Sequence, residues 1–456
     1  MVSELLQSQK NYFKTGDTKN VAFRKQVLKN LKTELIKREN EIIEALAKDF
    51  RKSAYESVLT EIAVVNSDLD LMIKNVSKWA KPKRVTPALL NFPSTDKLYS
   101  EPYGQTLIIA PWNYPYQLAI APMAASIAAG NTVVLKPSEL TPNTSALLKN
   151  IIDVVFSPEH VSVLEGGVDV STKLLEQCWD YIFFTGSVNV GKIVAKAAAK
   201  HLTPITLELG GKNPCIIDET ANIELTAKRI VWGKFLNAGQ TCIAPDYILI
   251  HESIKETFYK ALQIEIEKAY SSNPSTSEDF CRIVNDKNFL RLAKMLDNEN
   301  CIIGGQTNAE TRYISPTVID EPSLDSEVMK DEIFGPILPV ISYKDETKIE
   351  AIISKYEKPL SLYVFSTSSS KARKVIENYS FGGGCINDTV IHFANHRLPF
   401  GGVGNSGLGA YHGKLSFNTF SHQKAVVKKG NWLDLPLRYA PYKGKLKKVK
   451  KILKWL

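Results

Sequence analysis

A chain of 456 residues, 44% hydrophobic and 23% charged, is too long for one ordinary core and too apolar for disorder or a simple fibre, so two or three globular domains are expected. The net charge of +9 is concentrated at the C-terminal end, where seven of the 57 basic residues fall within 443–456. The other 50 lysines and arginines face 48 aspartates and glutamates, a balance that gives no reason to expect a nucleic-acid surface.

The opening segment MVSELLQSQK has neither the apolar stretch nor the cleavage site of a secretory signal, so a cytoplasmic location is expected. Residues 20–81 read as helices. Phe23, Val27, Leu31 and Leu35, then Ile42, Ile43 and Leu46, recur at helical spacing, and a second helical pattern covers 56–79. Residues 82–104 are proline-rich and irregular, a connector or edge hairpin. No formal charge occurs across 104–135, but Pro111, Pro115 and Pro122 interrupt that stretch. Its longest apolar piece, 118–129, is too short to cross a bilayer and reads as a buried helix.

From residue 105 strands and helices alternate. Strands are expected at 106–110, 132–136, 161–166 and 181–184, and helices at 121–129, 143–156, 169–177 and 191–201. That order implies an α/β fold with a parallel sheet covered on both faces. Ligands of such sheets gather at the carboxyl ends of the strands. ITLELGGKNP (205–214) and the strand CIID lead into a helix from 222 to about 236, and a second α/β pattern continues to about 390.

The strand-end loops are therefore the places to look for chemistry. In APWNYP, Asn113 follows Trp112, and its amide is able to donate to a developing oxyanion or simply to form a turn. In KPSE, Lys136 and Glu139 suit the two hydroxyls of an adenosine ribose, with the carboxylate disfavouring a 2′-phosphate; the alternative is a solvated loop with Thr141 capping the next helix. In TGSVNVG, Gly186 permits a tight turn, Ser187 offers a hydroxyl and Gly191 lets a helix approach the sheet. This is an anion site at a helix N-terminus or a plain glycine turn. The loop also approaches a P-loop, but Ile193 stands where that motif needs Ser or Thr.

Glu208, in LELGG, is a carboxylate at the end of an apolar strand, suited to general-base work if burial raises its pKa. Cys242, in GQTC, sits in a loop between helix and strand where its side chain is able to face a cleft; a thiolate attacks a carbonyl carbon well, especially if its pKa is lowered, and a small buried hydrophobe is the alternative. The other cysteines, 178, 215, 281, 301 and 385, read as small buried hydrophobes. No C-x-x-C pair suggests zinc or a disulfide framework, and His392 and His396 lack a third ligand.

Taken together, PWNYP, KPSE, FTGS, LELGGKNP, GQTC, EIFGP and LPFGGVGNSGLG resemble, in order and spacing, the NAD(P)-dependent aldehyde dehydrogenase superfamily across nearly the whole chain. GQTCIAPDY and LPFGGVGNSGLGAYHGKLSFNTFSH, with no long N-terminal extension, look like its class 3 branch of fatty and aromatic aldehyde dehydrogenases. The resemblance implies an α/β fold with a Rossmann-type parallel-sheet cofactor domain (1–81 and 105–208), an α/β catalytic domain (209–395) and a small bridging β region (82–104 and 396–430). It implies NAD as cofactor, with NADP as the alternative, an aldehyde substrate and a homodimer.

It also implies roles. Cys242 is the nucleophile, Glu208 activates the hydrolytic water, and Asn113 with the Cys242 N–H forms the oxyanion hole. Lys136 and Glu139 take the adenosine ribose, and Gly186, Ser187 and Gly191 line the pyrophosphate loop. Glu332 holds the nicotinamide ribose, Phe334 packs near the ring, and Trp112 contributes backbone contacts. Glu208 favours release of a free acid over acyl transfer to coenzyme A.

In the tail, KGKLKKVKKILKWL places Leu446, Val449, Ile452, Leu453 and Leu456 on one helical face, lysines on most of the rest, and Trp455 near the end. Such a helix reads as a membrane-surface anchor on the inner face of a membrane, which would suit a lipophilic aldehyde; a solvated tail or one docked on a partner subunit is the alternative. Two further readings stand against the main one: a P-loop nucleotide hydrolase, and a membrane-associated scaffold that keeps the fold without catalysis.

Overall fold

The computed structural model describes residues 2–454. The first element is a helix, Val2–Thr15, that no strong apolar stripe announces, because only Leu6 and Gln9 are buried. Gln9 anchors it by donating to the carbonyls of Val133 and Pro158, both at 3.1 Å. Helix Val21–Lys37 follows, capped by the Asn20 side chain. Its buried face is Arg24, Leu28, Leu31 and Leu35, rotated from the expected stripe. Phe23 and Val27 are half-buried, because Arg24 turns inward to donate to the carbonyls of Thr18 and Ala128. Helix Glu39–Phe50, a π-helical turn at Val58–Ile62 and helix Ala63–Trp79 complete this layer.

Six strands form the first sheet, in the order Gly407–Leu408, Ile205–Glu208, Tyr181–Thr185, Gln105–Ile109, Thr132–Lys136 and Val161–Val163. All are parallel except Gly407–Leu408. Alternation along the strands feeds two cores. Ile108, Val133, Leu135 and Phe183 pack under the N-terminal helices, and Leu107, Ile109, Val134 and Phe184 pack on the opposite face.

Helix Gln117–Ala129 is buried along its whole length. It begins four residues before the expected start and runs through Pro122, because the carboxylate of Glu61 accepts the Tyr116 and Gln117 N–H groups at 2.9 and 3.0 Å. Helix Pro142–Val155 is capped not by Thr141, whose side chain makes no cap bond, but by Asp49, which accepts the Asn143 and Thr144 N–H groups. Proline at the first helical position leaves those next two donors to be satisfied from elsewhere. The glycine-loop helix spans Val188–Ala199, three residues earlier than expected, with Ser187 as its N-cap.

The second sheet has seven strands, in the order Cys301–Ile303, Thr317–Asp320, Ile337–Tyr343, Tyr247–His251, Pro214–Ile217, Ser361–Phe365 and Gly383–Ile386. A third, three-stranded antiparallel sheet joins Lys83–Val85, Ser94–Pro102 and Ser421–Lys429. Residues 94–102 lie in its middle rather than at an edge, and Ser421–Lys429 is the long exposed edge strand.

Burial in apolar surroundings pulls the His160 imidazole from 6.5 down to about 4. The folded state therefore refuses a proton that the unfolded chain accepts. Stability is expected to fall as pH drops from 6.5 toward about 4, at up to about 1.4 kcal/mol per pH unit from this residue. Denaturant titrations across that window should show a slope shallower by up to one proton in His160→Phe.

Candidate active site

The strands of the first sheet end together, and so do their loops. Strand Gln105–Ile109 leads to Trp112 and Asn113, Thr132–Lys136 to Glu139, Tyr181–Thr185 to Gly186 and Ser187, and Ile205–Glu208 ends on Glu208 itself. Against this carboxyl edge lies the amino edge of the second sheet: Cys242 precedes strand Tyr247–His251, and Glu332 and Phe334 precede strand Ile337–Tyr343. The second half of the site therefore comes from the edge opposite to the one expected for a parallel sheet.

Between them is a cavity of about 1120 Å³. Cys242, Glu208, Asn113, Trp112, Gly186, Ser187, Glu332 and Phe334 all line it. Gly191 lies behind the lining, where a Cβ would come within 2.7 Å of Leu209. Lys136 and Glu139 lie outside the lining and are paired with each other at 2.6 Å. Gly186 is required for a reason other than a left-handed turn: a Cβ there would meet the Phe184 ring at 2.5 Å.

A tight turn delivers Cys242. Asn237, Ala238 and Gly239 all have positive φ, at 53, 50 and 72°. A Cβ at Gly239 would lie 2.2 Å from the Gly335 carbonyl, so the glycine serves both conformation and space. Asn237 donates to the Asn113 carbonyl at 2.8 Å, and Asn113 donates from its amide to the Gln240 carbonyl at 3.1 Å. Tyr114 and Thr241 hydroxyls meet at 2.7 Å. Asn213 donates to the carbonyls of Cys242 (2.7 Å) and Ala244 (3.0 Å) and accepts from the Ser361 N–H.

Burial holds the Glu208 carboxyl well above the usual carboxylate range, and neither of its oxygens has a hydrogen-bond partner among the described residues. A buried acceptor left unpaired costs about 1–3 kcal/mol. Burial also pushes the Cys242 thiol upward, with Glu332 and Glu208 adding to the effect. The shift runs opposite to the lowered pKa that would make the thiolate most available. Burial followed by Asp246 raises Glu332 to about 8. Cys178 is also corrected, being exposed rather than buried, and Cys301 and Cys385 are half-buried.

Sequence reasoning assigned no role to the supports of this site. Lys212, buried, pairs with Asp246 at 2.7 Å and donates to the carbonyls of Val328 and Asp331, while Asp246 accepts the Ile333 N–H at 2.9 Å. Together they pin the loop that carries Glu332 and Phe334. Both residues lie inside quoted motifs, and a charge in an apolar motif was the available signal. Glu61, wholly buried with Lys52 at 2.7 Å, gave only the weaker signal of an acid on a helix face.

One end of the cavity suits a nicotinamide dinucleotide. It combines the capped helix start at Ser187 with the Glu332 carboxylate, which occupies the space a Gly210 side chain would fill (2.1 Å from its ideal Cβ). The Trp112 and Phe334 rings there meet edge-on at 5.2 Å. The lining also carries a set of apolar side chains, Leu59, Ala63, Val64, Trp232, Phe393 and Phe400. Among the described residues no cluster of three or more metal-ligating side chains occurs, and no helix is long and apolar enough to cross a membrane.

Residues 2–426 match the model of the aldehyde dehydrogenase family. The chain is 46% identical over 456 residues to the 4,4'-diaponeurosporen-aldehyde dehydrogenase of Staphylococcus aureus (strain NCTC 8325 / PS 47), covering 100% of this chain and 99% of that one. It is 40% identical over 447 residues to a dimeric NADP-preferring aldehyde dehydrogenase of Canis lupus familiaris, covering 98% and 99%. Its backbone is similar to a substrate-bound structure of Staphylococcus aureus AldH, with a TM-score of 0.98, 45% identity and 99% of each chain covered.

Proposed function

Because this chain belongs to the aldehyde dehydrogenase family, and so oxidises an aldehyde to the carboxylic acid with NAD or NADP, we propose that Cys242, Glu208 and Asn113 carry that reaction. The observation that carries the assignment is their convergence on one cavity beside the Ser187 helix start and Glu332.

On this reading the Cys242 thiolate attacks the aldehyde carbon, and the oxyanion accepts hydrogen bonds from the Asn113 amide and the Cys242 N–H. The bound nicotinamide supplies a hydride acceptor. Gly186, Ser187, Gly191, Glu332, Phe334 and Trp112 hold it. Lys136 and Glu139, at the neighbouring strand end, take the adenosine ribose, which favours NAD with NADP also accepted. Loss of hydride leaves a thioester on Cys242. Glu208 then takes a proton from water, which attacks the thioester and releases the acid. A carboxylate kept out of solvent and without donors of its own suits that proton transfer.

The apolar side chains of the lining support a lipophilic aldehyde, long-chain fatty, polyene or aromatic. NADH formation followed by absorbance should rise in kcat/KM from short to long saturated aldehydes; a flat or inverted profile would overturn the lipophilic assignment.

The tail is proposed to bring the enzyme to the inner, anionic face of a membrane from the cytoplasm. Helix Leu446–Leu453 exposes Leu446, Ile452 and Leu453 among its lysines, and Trp432 and Tyr442 are exposed before it. Trp455 and Leu456 lie outside the described residues. Each lysine near such a surface contributes about 1 kcal/mol. The full chain is expected to sediment with anionic vesicles and not with zwitterionic ones. Removal of 443–456 should abolish this and leave NADH formation from a water-soluble aldehyde intact. A homodimer through the exposed edge strand Ser421–Lys429 is proposed on the same footing, with Val426 and Val427 exposed along it.

A further inference from the structure

We propose that the buried Lys52–Glu61 ion pair is a brace that holds the two oxyanion donors in register, Lys52 acting through Tyr114 and Glu61 through the start of helix Gln117–Ala129. The inference rests on the reading of the Asn113 amide and the Cys242 N–H as those donors.

The two donors come from different segments. Asn113 follows strand Gln105–Ile109, and Cys242 follows the turn of positive φ at Asn237, Ala238 and Gly239. An oxyanion is stabilised by both only if both N–H groups point at the same spot. Glu61 serves the first segment. Its Oε2 accepts the Tyr116 and Gln117 N–H groups at 2.9 and 3.0 Å, just beyond Asn113. Its Oε1 accepts from Lys52 Nζ at 2.7 Å. Lys52 reaches the second segment. Its ammonium lies 4.3 Å from the centroid of the Tyr114 ring, and the Tyr114 hydroxyl meets that of Thr241, the residue before Cys242, at 2.7 Å. One ammonium–carboxylate pair therefore supports both walls of the oxyanion hole from behind.

Stability is a weak reason for the pair. Both side chains are wholly out of solvent, and apolar side chains of similar volume often replace such a pair without loss. What apolar side chains lack is direction: the ammonium orients the ring by its π face, and the carboxylate orients two N–H groups. Glu61 also sits in the π-helical turn Val58–Ile62, an irregularity that recurs at functional sites. A second acid, Glu56, lies nearby; burial raises its carboxyl against the pull of Lys52 and the Asn237 N–H.

The test uses two reactions of one thiol. Alkylation of Cys242 by iodoacetamide, followed on its peptide by mass spectrometry, takes place at a saturated carbon and needs no oxyanion donor. Acylation by 4-nitrophenyl acetate needs both. Lys52→Met/Glu61→Gln leaves neither charge of the pair unbalanced. It is expected to lose about 10²-fold in kcat for aldehyde oxidation and in acylation by the ester, while alkylation of Cys242 and NADH affinity stay within about twofold of the parent. Tyr114→Phe keeps the ring and loses the hydroxyl, and should slow the same two reactions about tenfold. Alkylation falling in step with acylation would reduce the pair to a structural support and overturn the proposal, as would a double variant that acylates at the parent rate. If the double variant does not fold, Tyr114→Phe decides alone: parent rates overturn the proposal, and a fall confined to oxidation and acylation supports it. Asn113→Ala tests the underlying reading, since acylation at the parent rate there would indict the oxyanion assignment rather than the brace.

Discussion

Cys242→Ala is expected to oxidise aldehydes about a millionfold more slowly than the parent enzyme, the scale of losing a covalent nucleophile. Alanine removes the sulfur and little else. The loop keeps its place because its anchors are backbone contacts: Asn213 holds the Cys242 and Ala244 carbonyls, and Tyr363 donates to the Ile243 carbonyl at 2.5 Å. NADH binding, read by fluorescence titration, should stay within about twofold of the parent, since no new cavity wall is exposed beyond the lost sulfur. Turnover persisting near the parent rate would sink the nucleophile assignment and bring the scaffold reading forward. Loss of NADH binding in parallel would report a collapsed cavity.

Glu208→Gln should separate the two halves of the reaction. The first half needs no base at this position, so mixing with excess NAD and aldehyde should give a burst of about one NADH per site. Steady turnover should then fall by about 10²–10⁴ as the thioester waits for water. A variant with no burst would place Glu208 in the first half as well, and one with full steady turnover would remove it from the mechanism. Coenzyme A should not speed the parent enzyme. The pH dependence follows from the same burial. The thiol of Cys242 and the carboxyl of Glu208 are both pushed upward, and the proposed mechanism uses both in their ionised forms. Acylation and deacylation should therefore both quicken as pH rises, and activity should be weak on the acid side, where both groups are neutral.

The strand–helix alternation after residue 105 was legible because buried parallel strands are continuous apolar runs bounded by turns. TLIIA, TVVLK and YIFF fall within a residue of their observed limits, whereas VSVLEG runs three residues past the end of strand Val161–Val163. What escaped were elements fixed by contacts distant in sequence. Helix Val2–Thr15 is held by Gln9 reaching Val133 and Pro158. The early start of helix Gln117–Ala129 depends on Glu61, 55 residues before Tyr116. The site shows the same division. Trp112, Asn113, Gly186, Ser187 and Glu208 reach the cavity because each follows or ends a strand whose direction the sequence pattern reveals, whereas Cys242, Glu332 and Phe334 reach it from the amino edge of the second sheet, which the pattern does not announce. The raised thiol pKa was not legible because it comes from burial, with Glu332 and Glu208 approaching from other segments, none of which spacing along the chain encodes. Glu61 and Asp246 were missed for that reason too: each acts on a segment other than its own.

The meeting of two sheets edge to edge makes the distance between Cys242 and Glu208 a mechanical variable. One residue belongs to each jaw, so a sliding of the jaws alters the chemistry without altering either side chain. Asn213 seats the Cys242 jaw at the point where the chain crosses from one sheet to the other. It sits five residues beyond Glu208, grips the Cys242 carbonyl with its amide nitrogen and takes the Ser361 N–H on its oxygen. On the proposed mechanism the seating of the thiol rests on one side-chain amide, and loosening of that joint would appear as slow catalysis in a chain that is otherwise fully folded.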